Sequence, residues 1–514
     1  MVSLLEERAA STPGRPFVVM DGGDSRTFGA FNAEVNRLAN GLATLGLGAS
    51  DHVAVLLPNC LEGLVSTFAL RKLGAVEISV HARTGGEDLL RILRMSEPKL
   101  VLVEGGLVDR INELGDDLPP FDLVVLGAEP SGGTMPLGRP VIPFASLPVD
   151  RETNPGVGFH DTRTDAVLFT SGTTGPAKGC LLSHRAGATM GLAIARSLKF
   201  REDDCLYCPH PASHIDSRYL TVGAALWTGS RAAIGRRFDP VEFWDELRDL
   251  EATVFDFMGP SLSQLWEREA KASDLDNPAR LAWGGSIPTF GPLFEERFGL
   301  RLASGYGLTD AGVATWRDPE LRGEPWGSSG RVVEPYEIRI GDIHDDPVPT
   351  GEVGEILIRG RDADVTMKGY LGMLEATLAA FRNGWFHTGD LGRLDGDGRL
   401  YFEDRKSESI RRRGENISSW EIEQVLEAYP EVLEAAAIGL PGNDGEDEIC
   451  AVLVLRDDAD FSEEGLQDFL GTRIAESKMP KRFVVVEKIP RTGTGKIEKY
   501  RLPELIQMAT GGRS

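Results

Sequence analysis

The sequence predicts an α/β fold: a large N-terminal domain of helix-flanked sheets with a small β-barrel-like subdomain, followed by a small α+β C-terminal domain. Three observations predict it. Between Phe17 and Ala166, short apolar runs such as residues 53–57 and 100–103 alternate with stretches of helical periodicity such as 31–45, which is how buried parallel strands and their covering helices read. Around 351–359 the pattern changes to alternating residues with glycine-rich turns that continue to Gly398, the chemistry of an antiparallel barrel or meander. After Arg405 a different unit begins, with Ser418 and Glu421 at capping-box spacing. It predicts a helix burying Ile422, Val425, Leu426 and Tyr429, and strand-like runs follow at 435–438, 449–454 and 483–486.

The 514 residues exceed the size at which one hydrophobic core stops growing. Two domains are expected, 1–404 and 405–514, with the boundary near 403–408. A net charge of -24 argues against a nucleic-acid surface, which needs clustered Lys and Arg. The dense basic run Arg411, Arg412 and Arg413 is short. Residues 1–16 read as an amphipathic helix, not a signal peptide, and no apolar run approaches the roughly 20 residues of a membrane span. A cytoplasmic location is expected, and a homodimer is left open. Five cysteines fit reduced thiols. Cys205 and Cys208, followed by His210 and His214, leave a zinc or redox reading open, against which stands the lack of a second ligand pair.

The strongest local signal is a buried strand leading into Thr170, Ser171, Gly172, Thr173, Thr174, Gly175 and, after Pro176 and Ala177, Lys178. Glycines let backbone N–H groups approach phosphate oxygens, the hydroxyls add donors and the lysine adds charge. The usual nucleotide P-loop needs Gly before the Lys and Ser or Thr after it, whereas Lys178 lies between Ala177 and Gly179. A helix is expected from about Ser183. Further on stand Trp283, Gly284, Gly285 and Ser286; Ser304, Gly305, Tyr306, Gly307, Leu308, Thr309 and Asp310; Thr388, Gly389 and Asp390, with Arg405 fifteen residues beyond; and Lys496 on a glycine-rich loop after Arg491.

Taken together these residues resemble the adenylate-forming superfamily of acyl-CoA synthetases, adenylation domains and luciferases. The likeness runs from Thr170 to the C-terminus and is nearest to the carnitine and crotonobetaine CoA-ligase-like branch. It implies an ATP-dependent acid–thiol ligase that joins a carboxylate to AMP with loss of pyrophosphate, then passes the acyl group to coenzyme A. Its small-molecule partners would be the acid, ATP and CoA, with magnesium as the metal. On this resemblance the 170–178 loop and Gly284, Gly285, Ser304, Gly305 and Gly307 surround ATP. Tyr306 stacks on adenine, Thr309 contacts phosphate, Thr173 and Asp310 hold magnesium, and Asp390 and Arg405 take the ribose. Asp310 stands where the family carries Glu, one methylene longer.

His214, Trp283, Gly285 and Gly307 would border the acid, with Ser213 replacing an aromatic residue. The small domain would be mobile, pivoting near Arg405, Ser407 and Glu408. Lys496 would be catalytic, an ammonium that offsets the charge built as a carboxylate attacks the α-phosphate. Arg413, Gly414 and Glu415 would line the path of CoA. Aromatics between 207 and 283, with Asp216 and Asp256, leave a betaine acid open. Loading of a carrier-protein thiol is the alternative reaction, and a silent scaffold the alternative of another class.

Overall fold

The computed structural model describes the chain except residues 128–140, 158–159, 171–176, 322, 413–414, 442–446, 457–458, 460, 492–496 and 512–514; side chains are further not described at 116, 411–416 and 510–511. Within the described residues, two large sheets form the body. The first has seven strands in the order Val141–Pro143, Asp122–Leu126, Leu100–Glu104, His52–Leu56, Val76–Ser79, Thr164–Phe169, Gly179–Ser183. All its pairs are parallel except the last, a hairpin. The strands of the run 53–57 and 100–103 therefore lie where the apolar pattern predicts, and their side chains are buried on both faces.

The second sheet has nine strands. Its parallel centre runs Arg301–Leu308, Leu281–Gly284, Val254–Phe257, Cys205–Cys208, Arg231–Ile234 and Pro16–Met20. Antiparallel strands flank it, Gly312–Trp316 on one side and Ser25–Thr27 on the other. Cys205 and Cys208 sit three apart on one strand, so they face opposite sides, each into a different apolar cluster. This corrects the zinc reading for that pair, whose thiols cannot converge on one ion.

Helix Leu61–Leu73 is buried at every position but Glu62 and ends at Gly74, which adopts the left-handed conformation with φ 66°. It carries Arg71 into a polar layer between the sheets. Arg71 donates to Asp165 at 2.7 and 2.9 Å, and Tyr219 Oη donates to the same carboxylate at 2.9 Å. Arg218 pairs with Glu77 alongside. Burial alone would raise Asp165, but Arg71 and His184 hold its carboxyl well below the usual range. Buried charges persist only where they are paired in this way.

A five-stranded antiparallel sheet follows, built on Tyr336–Gly341, Gly354–Gly360 and Trp385–Leu394, with Phe381–Arg382 and Leu400–Arg405 both pairing with the third. The last strand ends at Arg405. Beyond it, helix Ser419–Glu427 is capped by Ser418, whose Oγ accepts from Glu421 N at 3.1 Å. Ile422 and Leu426 are buried as predicted, whereas Val425 and Tyr429 are half-buried. Glu423 takes a buried place instead, because Lys499 pairs with it at 2.7 Å. The helix packs on the antiparallel pair Val432–Pro441 and Asp447–Leu455, joined in parallel by Arg482–Val485. This α+β unit meets the body through Asp404, whose carboxylate accepts from Ser419 N at 2.7 Å, and through Arg456 and Glu267 at 2.9 Å.

Candidate functional site

The carboxyl ends of the parallel strands in the second sheet gather Trp283 to Gly285 and Ser304 to Gly307, at the place where open α/β sheets bind ligands. Gly284 ends one strand. A Cβ there would lie 2.0 Å from Phe257 O, so the neighbouring backbone admits only glycine. Gly285 is exposed and open on its Cβ side. Trp283 is buried, edge-on to Trp316 with centroids 5.9 Å apart. On the next strand, Gly305 and Gly307 are dictated by the hairpin with Gly312–Trp316: added Cβ atoms would approach Thr315 O to 2.7 Å and Val313 Cα to 2.4 Å. Ser304 is buried and its Oγ donates to Ser328 O at 3.1 Å.

Tyr306 lies between these glycines, its ring alongside Phe402 with centroids 6.3 Å apart. Its Oη donates to Asp390 Oδ2 at 2.7 Å. Burial and Asp390 push the phenol up, so it stays protonated and remains a donor. Asp390 and Arg405 are register partners on antiparallel strands, with Arg405 Nε 3.8 Å from Asp390 Oδ1. The fifteen-residue spacing read in the sequence is thus the length of one hairpin. Arg405 Nη1 also meets Glu408 Oε1 at 3.2 Å. The pair presents a carboxylate and a guanidinium side by side, a set of acceptors and donors suited to vicinal hydroxyls.

Strands Thr164–Phe169 and Gly179–Ser183 form the two arms on which the 170–178 loop rests. Thr170 N donates to Lys178 O at 2.9 Å and closes its foot, while Arg91 holds Ala177 O at 2.9 Å. Ser171, Gly172, Thr173, Thr174 and Gly175 lie outside the described residues. The helix expected near Ser183 is present as His184–Ser197, with Ser183 Oγ accepting from Ala186 N at 2.9 Å. A strand intervenes, so the loop turns a hairpin and does not run straight into a helix.

Lys178 Nζ sits 5.0 Å above the ring of Tyr370, and Tyr370 Oη donates to Asp310 Oδ1 at 2.5 Å. Burial and Asp310 push this phenol up as well. Thr309 is half-buried beside Asp310. Tyr370, which the sequence does not single out, therefore links Lys178 to Asp310, the expected phosphate and metal residues. Only the fold brings it there: Tyr370 follows Asp310 by 60 residues, and the segment carrying it laces onto both Gly179 and Asp310.

Among the described residues no cluster of three or more His, Cys, Asp or Glu could cage a metal by itself. Magnesium is characteristically held by one or two carboxylates with phosphates and water completing an octahedron. Asp310 fits that role, as a hard carboxylate donor whose orientation Tyr370 fixes.

His214, expected beside the acid, has its Nδ1 2.9 Å from Asp216 Oδ2. Asp216 opens a π-helical turn, Asp216–Thr221, an irregularity frequent at functional sites. Asp256 is wholly buried on the strand next to Trp283, its register partner. Cys208 Sγ donates to Asp256 Oδ2 at 3.2 Å and His210 Nε2 lies 3.7 Å from the same oxygen. Burial pushes His210 down to about 4. Burial and Asp216 push Asp256 up. The sequence had placed His210 in a zinc reading and Asp256 among scattered acids; their meeting is a result of strand order.

In the C-terminal unit, Glu415 begins the short strand Glu415–Ile417 opposite Ile410–Arg412. Arg413 and Gly414 lie outside the described residues, as does Lys496. The flanking Arg491 and Ile497 form an antiparallel bridge. Three residues past Lys496, Lys499 Nζ reaches Ser419 Oγ at 2.7 Å, Glu423 at 2.7 Å and Glu408 at 3.3 Å.

Comparison with known proteins places the chain in a family. The family described as AMP-binding enzyme matches residues 5–371, and the AMP-binding enzyme C-terminal domain matches residues 421–496. A crotonobetaine/carnitine–CoA ligase of Salmonella agona (strain SL483) is 32% identical over 484 residues, covering 93% of this chain and 92% of the relative. ATP-bound MatB from Rhodopseudomonas palustris superposes with a TM-score of 0.86 at 25% identity, covering 98% of each chain. The o-succinylbenzoate CoA synthetase (MenE) of Bacillus subtilis, solved with its acyl-adenylate intermediate, superposes with a TM-score of 0.84 at 26% identity over 97% of each chain. The same synthetase has been solved with ATP and magnesium.

Proposed function

The chain belongs to the AMP-binding enzyme family, and from that premise we infer that it is an AMP-forming acid–thiol ligase. A carboxylate oxygen attacks the α-phosphorus of ATP, the α–β anhydride bond breaks, and pyrophosphate leaves. The thiol sulfur of coenzyme A then attacks the acyl carbonyl, its proton is lost, and AMP leaves with the bridging oxygen. The observation that carries this reading is the triad of Tyr306, Asp390 and Arg405, a ring and a ribose-sized pair of polar groups at one set of strand ends. Free CoA is favoured over a carrier-protein thiol because the relatives are named as CoA ligases.

In this reading Tyr306 takes the adenine, Asp390 accepts from the ribose hydroxyls and Arg405 donates to them. Gly285, exposed and open on its Cβ side, leaves room for the nucleotide to lie close. The 170–178 loop and Lys178 cradle the phosphates, with Thr309 beside them. Magnesium, when bound, neutralises phosphate charge and would be held by Asp310 with Thr173. Lys496 brings a fixed ammonium to the attacked phosphate. Two bodies, 1–404 and 405–514, meet at a pivot from Arg405 to Glu408, so that rotation withdraws Lys496 and brings Arg413, Gly414 and Glu415 to the pantetheine path. A cytoplasmic location and a homodimer complete the reading, to be checked by fractionation and light scattering.

Carboxylate-dependent ATP–pyrophosphate exchange, followed by thioester formation with CoA alone, tests the two half-reactions. Lys496→Ala is expected to slow the exchange by about 10²–10³. Exchange at the parent rate would remove Lys496 from the mechanism.

A further inference from the structure

A cavity of about 80 Å³ lies where the start of helix Val2–Ser11 meets the end of helix Leu61–Leu73 and the residues that precede strand Thr164–Phe169. A water takes up about 30 Å³ of the liquid, so the space suits a ligand of a few heavy atoms. Ser3 and His160 line it and are exposed, which gives it a mouth at the surface. It stands apart from the nucleotide site. The 170–178 loop leaves the far end of strand Thr164–Phe169, whose 6 residues span about 20 Å at about 3.3 Å each.

The walls carry more positive charge than negative. Arg71, Lys72 and Arg163 line the cavity against one carboxylate, Glu6, and Glu6 is already engaged by Lys72 at 2.8 Å and by Asn154. Arg163 is half-buried beside Gly74 and among the described residues forms no ion pair. Arg71 is 3% exposed and spends Nε and Nη2 on Asp165. Its Nη1, on the other edge of the planar group, has no hydrogen-bond partner. A buried guanidinium nitrogen left in that condition calls for an acceptor. The N-terminal helix adds to the field. Its first turn holds neither an acidic residue nor a side-chain cap, so the unsatisfied N–H groups and the positive end of the dipole at Val2 and Ser3 border the same space.

We propose that this cavity binds a small inorganic oxyanion of phosphate size, at a site separate from the nucleotide site and independent of the ligase reading. One oxygen accepts from Arg71 Nη1, and the others accept from Arg163 and from the first-turn N–H groups of helix Val2–Ser11. Guanidinium forks and helix N-termini offer several donors at fixed spacing, which favours an oxyanion over a halide. The bound anion ties the N-terminal helix to helix Leu61–Leu73 and to the strand that leads into the 170–178 loop. It therefore stabilises the folded chain.

The test is thermal unfolding of the full chain at constant ionic strength, with inorganic phosphate replacing chloride. Phosphate is expected to raise Tm saturably, by about 2–4 °C. Arg163→Glu is expected to raise the phosphate concentration for half of that effect at least about 10-fold, the scale of losing a hydrogen bond to a charged group. Arg163→Gln, which keeps donors and loses the charge, should raise it less. Lys178→Ala removes the cation of the 170–178 loop and is expected to leave the response unchanged, which separates this site from the nucleotide phosphates. No saturable rise in the parent, an equal rise with chloride alone, an unaltered response in Arg163→Glu, or loss of the response in Lys178→Ala overturns the proposal. Should Arg163→Glu fail to fold, Arg163→Gln and the parent's comparison of phosphate with chloride decide. The ligase reading stands or falls separately, on pyrophosphate exchange.

Discussion

Tyr306 Oη donates a 2.7 Å hydrogen bond to Asp390 Oδ2, tying a ring in one sheet to a carboxylate in another. The bond leaves the other Asp390 oxygen facing Arg405 and the proposed ribose position. Tyr306→Phe keeps the ring and loses this orientation. We expect KM for ATP to rise about 10-fold, the scale of a hydrogen bond to a charged group, with kcat less affected. Initial rates against ATP concentration measure this, and an unchanged KM would show that Asp390 orients itself.

Tyr370 performs the matching task for Asp310. Its phenol stays protonated and donates at 2.5 Å, so Tyr370→Phe frees the carboxylate to rotate. The magnesium concentration that gives half-maximal exchange is expected to rise several-fold, about 3–10-fold for one hydrogen bond. Titrating magnesium at saturating ATP reads the effect directly.

Asp165 anchors Arg71, His184 and Tyr219 in the layer between the large sheets. Asp165→Asn leaves Arg71 buried without its counter-charge, at a cost of about 3–5 kcal/mol. Because the folded carboxyl is held below its unfolded value of about 3.9, its contribution is complete above that pH and is lost as pH falls further. Urea unfolding of parent and variant at pH 7 measures the loss.

His210 works with the opposite chemistry and loses stability in a higher window. Burial lowers its folded pKa to about 4 from an unfolded value of about 6.5. The unfolded chain therefore binds the extra proton first as pH falls, and stability drops between those values, by about 3 kcal/mol over the whole window. His210→Gln should flatten that part of the difference between urea curves taken at pH 7 and pH 4.5. A variant as acid-sensitive as the parent would place the proton elsewhere.

The sequence made the layered body legible wherever one residue type decides local structure. Apolar runs became buried strands, and Ser183 and Ser418 capped the helices expected of them. The Asp390 to Arg405 spacing was legible as a motif and is explained as a hairpin register. What escaped reading were partnerships set by strand order and chain crossings. Glu423 turned inward because Lys499, far along the chain, supplies its counter-charge. Tyr370 reached Asp310 because its segment laces two sheets together. Cys205 and Cys208 separated because a strand alternates its faces, which closes the zinc reading that their spacing had left open.

The pairing of Asp390 with Arg405 has a mechanical consequence. Asp390 lies within the five-stranded sheet, and Arg405 is the final rung of the same ladder and the first residue of the proposed pivot. A sugar bridging the two would behave as a cotter pin across a joint. Turning of the small unit would tug on the arginine half of the fastening first, so loosening of spent AMP and return of the joint to its starting angle become a single event.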